Sequence, residues 1–360
     1  MFRFLAAFLI TALLLPVAAF AQPTSEVLLP AQPTLRPELE KFAPLLGHWK
    51  GEGAAMVPGA GEMKWTSHST MKPVLDGKFI QGEMIITFDL GTLFYRSYYG
   101  WDPSQEKLVS YSIGNTGEFE ISDHVAWAPD GKLLICSTKI EEGVPLVTRN
   151  VITIEGDKQS FRWEAARGAG NFELVVSGTS ERTTDEFKIT PSQWAAPYMP
   201  GMPVAPEMQK LFGMAGEYRV KGRVSMSPAM SPMTVTAKES VRKIFGGIGI
   251  MIEVLGDPVP AAGNFRHEAI AFIVWDPTRK CFKEFWISNG GETSVQELRF
   301  VEDRKLVTVS MGMQMGAPQA VRGTIELDEK GALSWSTVDR FHGSHASDQY
   351  FVGTYEKLPE

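Results

Sequence analysis

Through the first half of the chain, apolar and polar residues alternate in short runs separated by turn-forming clusters. "MKWTSHSTM", "FYRSYYGW", "KLVSYSIG", "EFEISDHVAW", "KLLICST", "RNVITIE", "QSFRWEA" and "FELVVSGT" are rich in β-branched and aromatic residues, which predicts strands. "DPSQEK", "APDGK" and "EGDKQ" lie between them and predict turns. With segments 49–55 and 78–88 added, the count reaches about ten strands. Ten consecutive antiparallel strands lose their exposed edges by closing into a barrel, so an all-β barrel is expected, with a two-sheet sandwich as the alternative.

The pattern occurs twice. "PELEKFAPLLGHW" (37–49) returns as "PEMQKLFGMAGEY" (206–218), 169 residues later. "KPVLDG" (72–77) aligns with "RKIFGG" (242–247). "WDP" recurs at 101–103 and 275–277, followed at the same spacing by Ile113-x-Asn115-x-Gly117-Glu118 and Ile287-x-Asn289-x-Gly291-Glu292. "DGKL" (130–133) meets "DRKL" (303–306), Trp163 meets Trp335, and "GTSER" (178–182) meets "GTYEK" (353–357). The order is kept and the offset drifts by only a few residues, as in two copies of one domain that differ by short loop insertions. Each copy is long enough to close its own core. The expected organisation is a first barrel repeat over 37–182, a Pro/Gly-rich linker over 183–205 and a second barrel repeat over 206–358. Trp194, Tyr198 and the linker methionines suggest that the linker packs on something.

Each copy opens with a segment that predicts a short helix. Pro37 suits a first helical turn, Glu38 and Glu40 favour its N-terminus, and Leu39, Phe42, Leu45 and Leu46 share a face. Pro44 in one copy and Gly213 in the other limit the helix to one or two turns, and Gly47 or Gly216 provides the left-handed cap. Trp49 and Tyr218 then enter the first strand facing the core.

Ahead of the first copy, "MFRFLAAFLITALLLPVAAFA" has one Arg, an apolar run and a small-x-small end, which predicts a secretory signal peptide over 1–21 and a secreted or periplasmic protein. Cleavage leaves 339 residues, beginning with an extended leader over 22–36, and shifts the formal charge from −7 to −8. No later run is long enough for a membrane span, and a mildly acidic chain without Lys/Arg clusters excludes nucleic acid as a partner. Protein partners are left open. The two cysteines, Cys136 and Cys281, lie at non-corresponding places in the two copies, so buried thiols are favoured over a bridge.

"GHWKGEG" (Gly47-x-Trp49-x-Gly51-x-Gly53) resembles the opening of lipocalin-like and nitrobindin-like barrels, where a short helix precedes a Gly-x-Trp whose Trp plugs the barrel floor. Together with "LDGKF", "GWDP" and "GNTGE", it resembles the bacterial domain-of-unknown-function family 1579. The resemblance implies two tandem lipocalin-like antiparallel barrels, with Gly47, Trp49, Gly216 and Tyr218 at their floors. It implies no settled activity. Copy two departs from the pattern, with Tyr218 for Trp and Val220 for the first following Gly. Nitrobindin-like barrels hold haem through a His near the chain end. Copy one has no His after Trp163, and only His342 and His345 stand near the end of copy two, so no cofactor is expected.

Motifs for chemistry are sparse. No HExxH, zinc spacing, G-x-S-x-G, Walker loop or dinucleotide fingerprint occurs, and no metal site is expected. Asp102 and Asp276 read as turn starters and the shared Asn-x-Gly-Glu as a loop device. Asp123 falls on the face of Phe119, Ile121, Val125 and Trp127, where it needs a partner such as Arg96. Trp65, Tyr111, Trp127, Trp163, Phe285 and Trp335 fall on apolar faces that line either a packed core or a ligand pocket; with Asp123 they are the pocket candidates. The Met-rich stretches 224–233 and 310–318 suit a pocket rim or loop packing. The expected function is non-catalytic binding of a small apolar or amphipathic ligand in one or both barrels. The alternatives are an enzyme using Asp123 or His68, and an envelope scaffold with filled barrels.

Overall fold

A computed structural model describes residues 34–359, apart from 58–60, 90, 103–104, 118, 142, 197–203, 225–231, 261–262, 291–292, 315–316, 328–332, 343–344 and 349–350. The signal segment 1–21 and most of the leader lie outside the described residues, as does Tyr198. The chain divides into two compact units, Leu35–Val204 with Ile244–Ile248, and Ala205–Lys243 with Gly249 onward.

In the first unit ten strands follow one another around a closed barrel: β1 (Gly47–Val57), β2 (Gly61–Val74), β3 (Phe79–Phe88), β4 (Gly91–Asp102), β5 (Lys107–Gly114), β6 (Phe119–Trp127), β7 (Leu133–Glu141), β8 (Val144–Glu155), β9 (Lys158–Arg167) and β10 (Glu173–Thr183). Every pairing is antiparallel between neighbours. β1 closes the ring by pairing with both β2 and β10, so that Gly53 faces Trp65 on one side and Gly178 on the other.

The second unit contains β11 (Gly216–Val224), β12 (Met233–Ile244), β13 (Gly249–Gly256), β14 (Glu268–Asp276), β15 (Cys281–Ser288), β16 (Thr293–Glu302), β17 (Lys305–Gln314), β18 (Ala317–Leu327), β19 (Leu333–His342), β20 (His345–Asp348) and β21 (Phe351–Lys357). Here β19 pairs with both β18 and β21, and β21 pairs with β11, which closes a ring of ten. The four-residue β20 pairs with β19. The expected pair of ten-stranded antiparallel barrels is therefore what the chain forms.

The opening segments differ in kind. Pro37–Leu45 is a 3₁₀ helix, whereas Pro206–Leu211 is a six-residue α-helix followed by a 3₁₀ turn over Phe212–Met214. Pro44 explains the difference: in an α-helix its ring would meet the carbonyl four residues back, and the tighter winding ends with Leu46 N–H bonded to Ala43 O at 3.2 Å. Leu39, Phe42 and Leu45 are buried against Ile80, Val125 and Leu133, which seals one end of the barrel.

Trp49 and Tyr218 occupy equivalent places in these seals. The Trp49 indole N–H donates to Leu45 O at 2.9 Å, and the Tyr218 hydroxyl donates to Met214 O at 2.8 Å, each four residues upstream. The preceding glycines have positive φ, +112° at Gly47 and +149° at Gly216, a region that disfavours a side chain.

The asparagine of the Asn-x-Gly-Glu motif clamps a loop in both copies. Asn115 Oδ1 accepts from Phe94 N–H at 3.0 Å while its Nδ2 donates to Thr92 O at 2.9 Å. Asn289 repeats this on Glu268 N–H and Arg266 O at 2.9 and 2.8 Å. Both asparagines are buried. Asn115→Ala strands a donor and an acceptor of β4, and we expect it to cost about 2–4 kcal/mol in urea denaturation, with Asn289→Ala costing a similar amount. A loss below about 0.5 kcal/mol in both would show that the clamp is incidental.

Asp102 and Asp276 are turn starters. Asp102 accepts from Gln105, and Asp276 Oδ1 accepts from the Thr278 and Arg279 N–H groups. Cys136 and Cys281 form no disulfide; Cys281 is buried as expected, whereas Cys136 is only partly buried.

Candidate functional site

Alternation along the strands sorts each side chain to the inside or outside of its barrel. In the first barrel the inner row of β3–β6 is small and polar: Gly82 faces Ser97, Ser97 faces Ser112, and Ser112 faces Glu120. The row continues on β7 and β8, where the Ser137 hydroxyl donates to Glu120 Oε1 and lies 2.8 Å from Thr148 Oγ1. Side chains this short leave the middle of the barrel unfilled.

The result is a cavity with two lobes of about 260 and 150 Å3 that share Met84, Ser97, Tyr99, Asn150 and Phe161. The larger lobe has an apolar wall that includes Phe88, Phe161, Trp163 and Val176, opposite a polar side with Ser110, Glu120 and Ser122. Asn150 Oδ1 is buried without a hydrogen-bond partner. Burial pushes the Tyr99 phenol up to about 12, with the Glu120 charge adding to the rise and hydrogen bonds from Ser97 and Ser110 opposing it. Trp65 lies on the paired glycines Gly53 and Gly178, stacks on Phe161 at 5.5 Å, and borders a separate open groove that also carries Glu52, Glu62, Lys64 and Asp89.

The outer face of the same barrel is covered at β3 and β4. Arg96 pairs with Glu83, both nearly buried, and its guanidinium lies 4.0 Å from the ring of Trp194. Trp194 belongs to a short helix, α1 (Pro191–Ala195), which Thr190 and Gln193 close with a capping box.

The inner face of the second barrel is chemically different. The alternation Val235, Ala237, Glu239, Val241 buries every member of the row, including Glu239 at 1% exposure. Glu239 faces Tyr218 across β11 and β12, and Glu284 faces Gln296 across β15 and β16. Burial pushes the Glu239 carboxyl well above the usual range, and Glu284 adds to the shift. At another point of this unit, buried His267 lies parallel to Trp286 at 6.3 Å, and its pKa is lowered to about 3 by burial.

The sequence candidates separate on this geometry. Trp163 lines the first cavity, and Trp127 joins the floor with its ring edge-on to Phe42 at 5.4 Å. Trp335 is inside the second barrel, 4.7 Å from Phe351. Two aromatics are corrections. Tyr111 lies between inward Ser110 and Ser112 and faces out, directly across from Tyr98. Phe285 lies between Glu284 and Trp286 on β15 and faces the other way, stacked on Phe272 at 5.7 Å. His68 is also outside, between inward Ser67 and Ser69, with its ring 5.9 Å from Phe187.

A β-bulge in β6 interrupts the single apolar face on which Asp123 was expected. Leu108 faces Val125 while Ser110 faces Ser122, so β6 carries one extra residue, and Phe119 and Ile121 do not share the face of Val125 and Trp127. The Asp123 side chain lies outside the described residues, as do those of His342 and His345. Most of Met-rich 224–233 is likewise undescribed, and so are the side chains of 311–319. Among the described residues no group of three or more His, Cys, Asp or Glu side chains is placed to hold a metal ion. No described helix is long and apolar enough to cross a membrane.

Sequence reasoning missed Glu120, Asn150 and the inward serines, because serine alternating with aromatic residues reads as a solvent face. It also missed Glu239, although its place in the Val235–Val241 alternation was a usable signal.

Residues 35–182 match a family described as a protein of unknown function (DUF1579). No curated protein matches the chain. Among solved structures, the chain is similar to Rv2717c from M. tuberculosis at 13% identity, covering 42% of this chain and 99% of that one, with a TM-score of 0.30. It is similar to a DUF3598 protein of unknown function from Nostoc punctiforme at 10% identity, covering 90% and 100%, with a TM-score of 0.26. The vaccine antigen transferrin binding protein B from Haemophilus parasuis matches at 10% identity over 86% and 74%, with a TM-score of 0.18.

Proposed function

We propose that the chain is an exported binding protein whose first barrel holds a small amphipathic molecule bearing a hydrogen-bond donor. The observation that carries this reading is the two-lobed cavity itself, with aromatic and aliphatic groups on one side and Ser110, Glu120, Ser122 and Asn150 presented to the same space. Together the lobes reach the lower end of the volumes typical of small-molecule sites, roughly 300 Å3. Asn150 Oδ1 is an acceptor without a donor, and a carboxylate accepts only, so a ligand hydroxyl or N–H completes the polar side. Export rests on the signal-like segment 1–21. A scaffold with filled barrels is disfavoured by the same cavity. The alternative of an acid–base enzyme loses His68, which is outside the barrel.

Two measurements test the reading. Native mass spectrometry of protein purified from its own envelope should show a co-purifying small molecule on a fraction of the chains. 1-Naphthol, an aromatic ring with one hydroxyl donor, should bind with a change in tryptophan fluorescence. Ser97→Leu, which fills the neck shared by both lobes, should weaken naphthol binding by at least about tenfold without lowering the melting temperature. Naphthol binding that is unchanged in Ser97→Leu, or no binding in either assay, overturns the proposal.

A further inference from the structure

We infer that the second barrel encloses a separate binding site for a small organic cation, a protonated amine, held between Glu239 and Glu284. The site is legible from strand register. Glu239 faces Tyr218 on β11, and on that strand's inner face Val220 faces Tyr355 of β21. Tyr355 faces Leu333 of β19, whose inner row continues through Trp335 and Thr337 to Gly323 on β18. Gly323 faces Thr308, Thr308 faces Leu298, and on the inner row of β16 Gln296 faces Glu284. Cross-strand partners share a face, so the two carboxyls, the amide and the hydroxyls all project into one interior.

Unmet hydrogen-bonding capacity points to an occupant. Gln296 is 1% exposed and neither its Oε1 nor its Nε2 has a partner; Glu239 Oε1 and Thr337 Oγ1, equally buried, have none either. A buried polar group left without a partner keeps the cost of its lost hydration. Several of them on one inner face mark a place where something polar belongs.

Charge decides what belongs there. Among the described side chains, the charged or titratable groups that the register and ring contacts place toward this interior are Glu239, Glu284, Arg340, His267 and the two tyrosines. His267 stays neutral, its pKa lowered to about 3. One guanidinium against two carboxyls leaves one negative charge to be met by a proton or a cation. With too few ligating side chains for a metal cluster among the described residues, and aromatic rings at Tyr218, Trp335 and Tyr355, an ammonium fits better than a metal ion.

The comparison with the first barrel supports a second specificity. At the offset fixed by Asn115 and Asn289, the Ser110–Ser122 pair corresponds to Glu284–Gln296, and the Ser112–Glu120 pair to Trp286–Ser294. Small hydroxyls that leave a cavity in the first barrel are replaced by an acid and an amide in the second.

The test uses the full chain and propylammonium chloride, with 1-propanol as the neutral control. At neutral pH, calorimetry in two buffers of different ionisation enthalpy should show propylammonium binding with release of close to one proton, as the Glu239 carboxylic acid gives its proton to buffer and its carboxylate pairs with the ammonium. Glu239→Gln should weaken binding by at least about tenfold and abolish the proton release. Gln296→Leu should also weaken binding while leaving the melting temperature equal or higher, since it removes two unmet polar atoms; this keeps the test informative if Glu239→Gln folds poorly. Glu120→Gln, in the other barrel, should leave propylammonium binding unchanged. Equal binding of 1-propanol, binding without proton release, or no binding of propylammonium overturns the inference.

Discussion

Trp49→Ala should cost the first barrel about 3–5 kcal/mol of stability and leave the second barrel's hydrogen exchange unchanged. The indole is 1% exposed and is held from both sides. Its N–H satisfies Leu45 O at 2.9 Å, and the Arg182 guanidinium sits 4.5 Å from the ring. Arg182 in turn donates to Leu46 O and Pro44 O at 2.5 and 2.8 Å and to Asp157 at 2.9 Å. The truncation therefore opens a cavity, strands a carbonyl and frees the cation that ties the 3₁₀ segment to β10. Against a typical domain stability of about 5–15 kcal/mol, this is a large fraction. Peptide-resolved exchange should show loss of protection across 47–183 but not 216–357; equal loss in both regions, or none, contradicts the account. Tyr218→Phe is the mild counterpart, removing one hydrogen bond to Met214 O at a cost of about 1 kcal/mol.

The floor was legible in the sequence because its parts are local. Gly-x-Trp, the proline-opened turn and the closing Gly-Thr-x-x-Arg each specify backbone and side chain within a few residues. The count of strands was legible for the same reason, since turns are short-range signals. The side on which an aromatic residue falls was not. β15, "CFKEFWIS", is buried along almost its whole length on both faces, so Phe285 carries no mark of direction. β5 is similar, with Ser110 and Tyr111 both buried and facing opposite ways. Apolar identity reports burial, and in these strands both faces are buried.

The polar interior is the complementary case. Ser97, Ser110, Ser112 and Ser122 have small polar side chains that a sequence reading assigns to water, yet they line the cavity. The register shift in β6 has no sequence signal of its own, because nothing between Ser122 and Val125 is a glycine or proline. The physical content of the site is therefore set by tertiary closure: which row of an alternating strand faces inward depends on the ring as a whole.

Gly53→Ala should disrupt the first barrel more severely than Gly222→Ala disrupts the second, although the two glycines are equivalent. Gly53 faces Gly178 across β1 and β10, and Gly222 faces Gly353 across β11 and β21. Each pair lets an aromatic ring lie flat on the strands, Trp65 in the first barrel and Phe351 in the second. What a methyl group would meet differs. At Gly53 it overlaps the Ser177 carbonyl oxygen and the Trp65 ring and comes within 2.7 Å of Gly178 Cα; two of these are backbone atoms of a closed sheet and have no rotamer to change. At Gly222 it meets Phe351 at 2.5 and 2.6 Å and Val235 at 3.3 Å, all side-chain atoms. Overpacking costs about 1–3 kcal/mol where side chains can yield, and more where they cannot. The expected result is a loss of about 3 kcal/mol or more for Gly53→Ala and about 1–2 kcal/mol for Gly222→Ala, with Phe351→Leu recovering part of the second loss but Trp65→Leu recovering little of the first. Full recovery of Gly53→Ala by Trp65→Leu would show that the ring, and not the sheet backbone, sets the requirement for glycine.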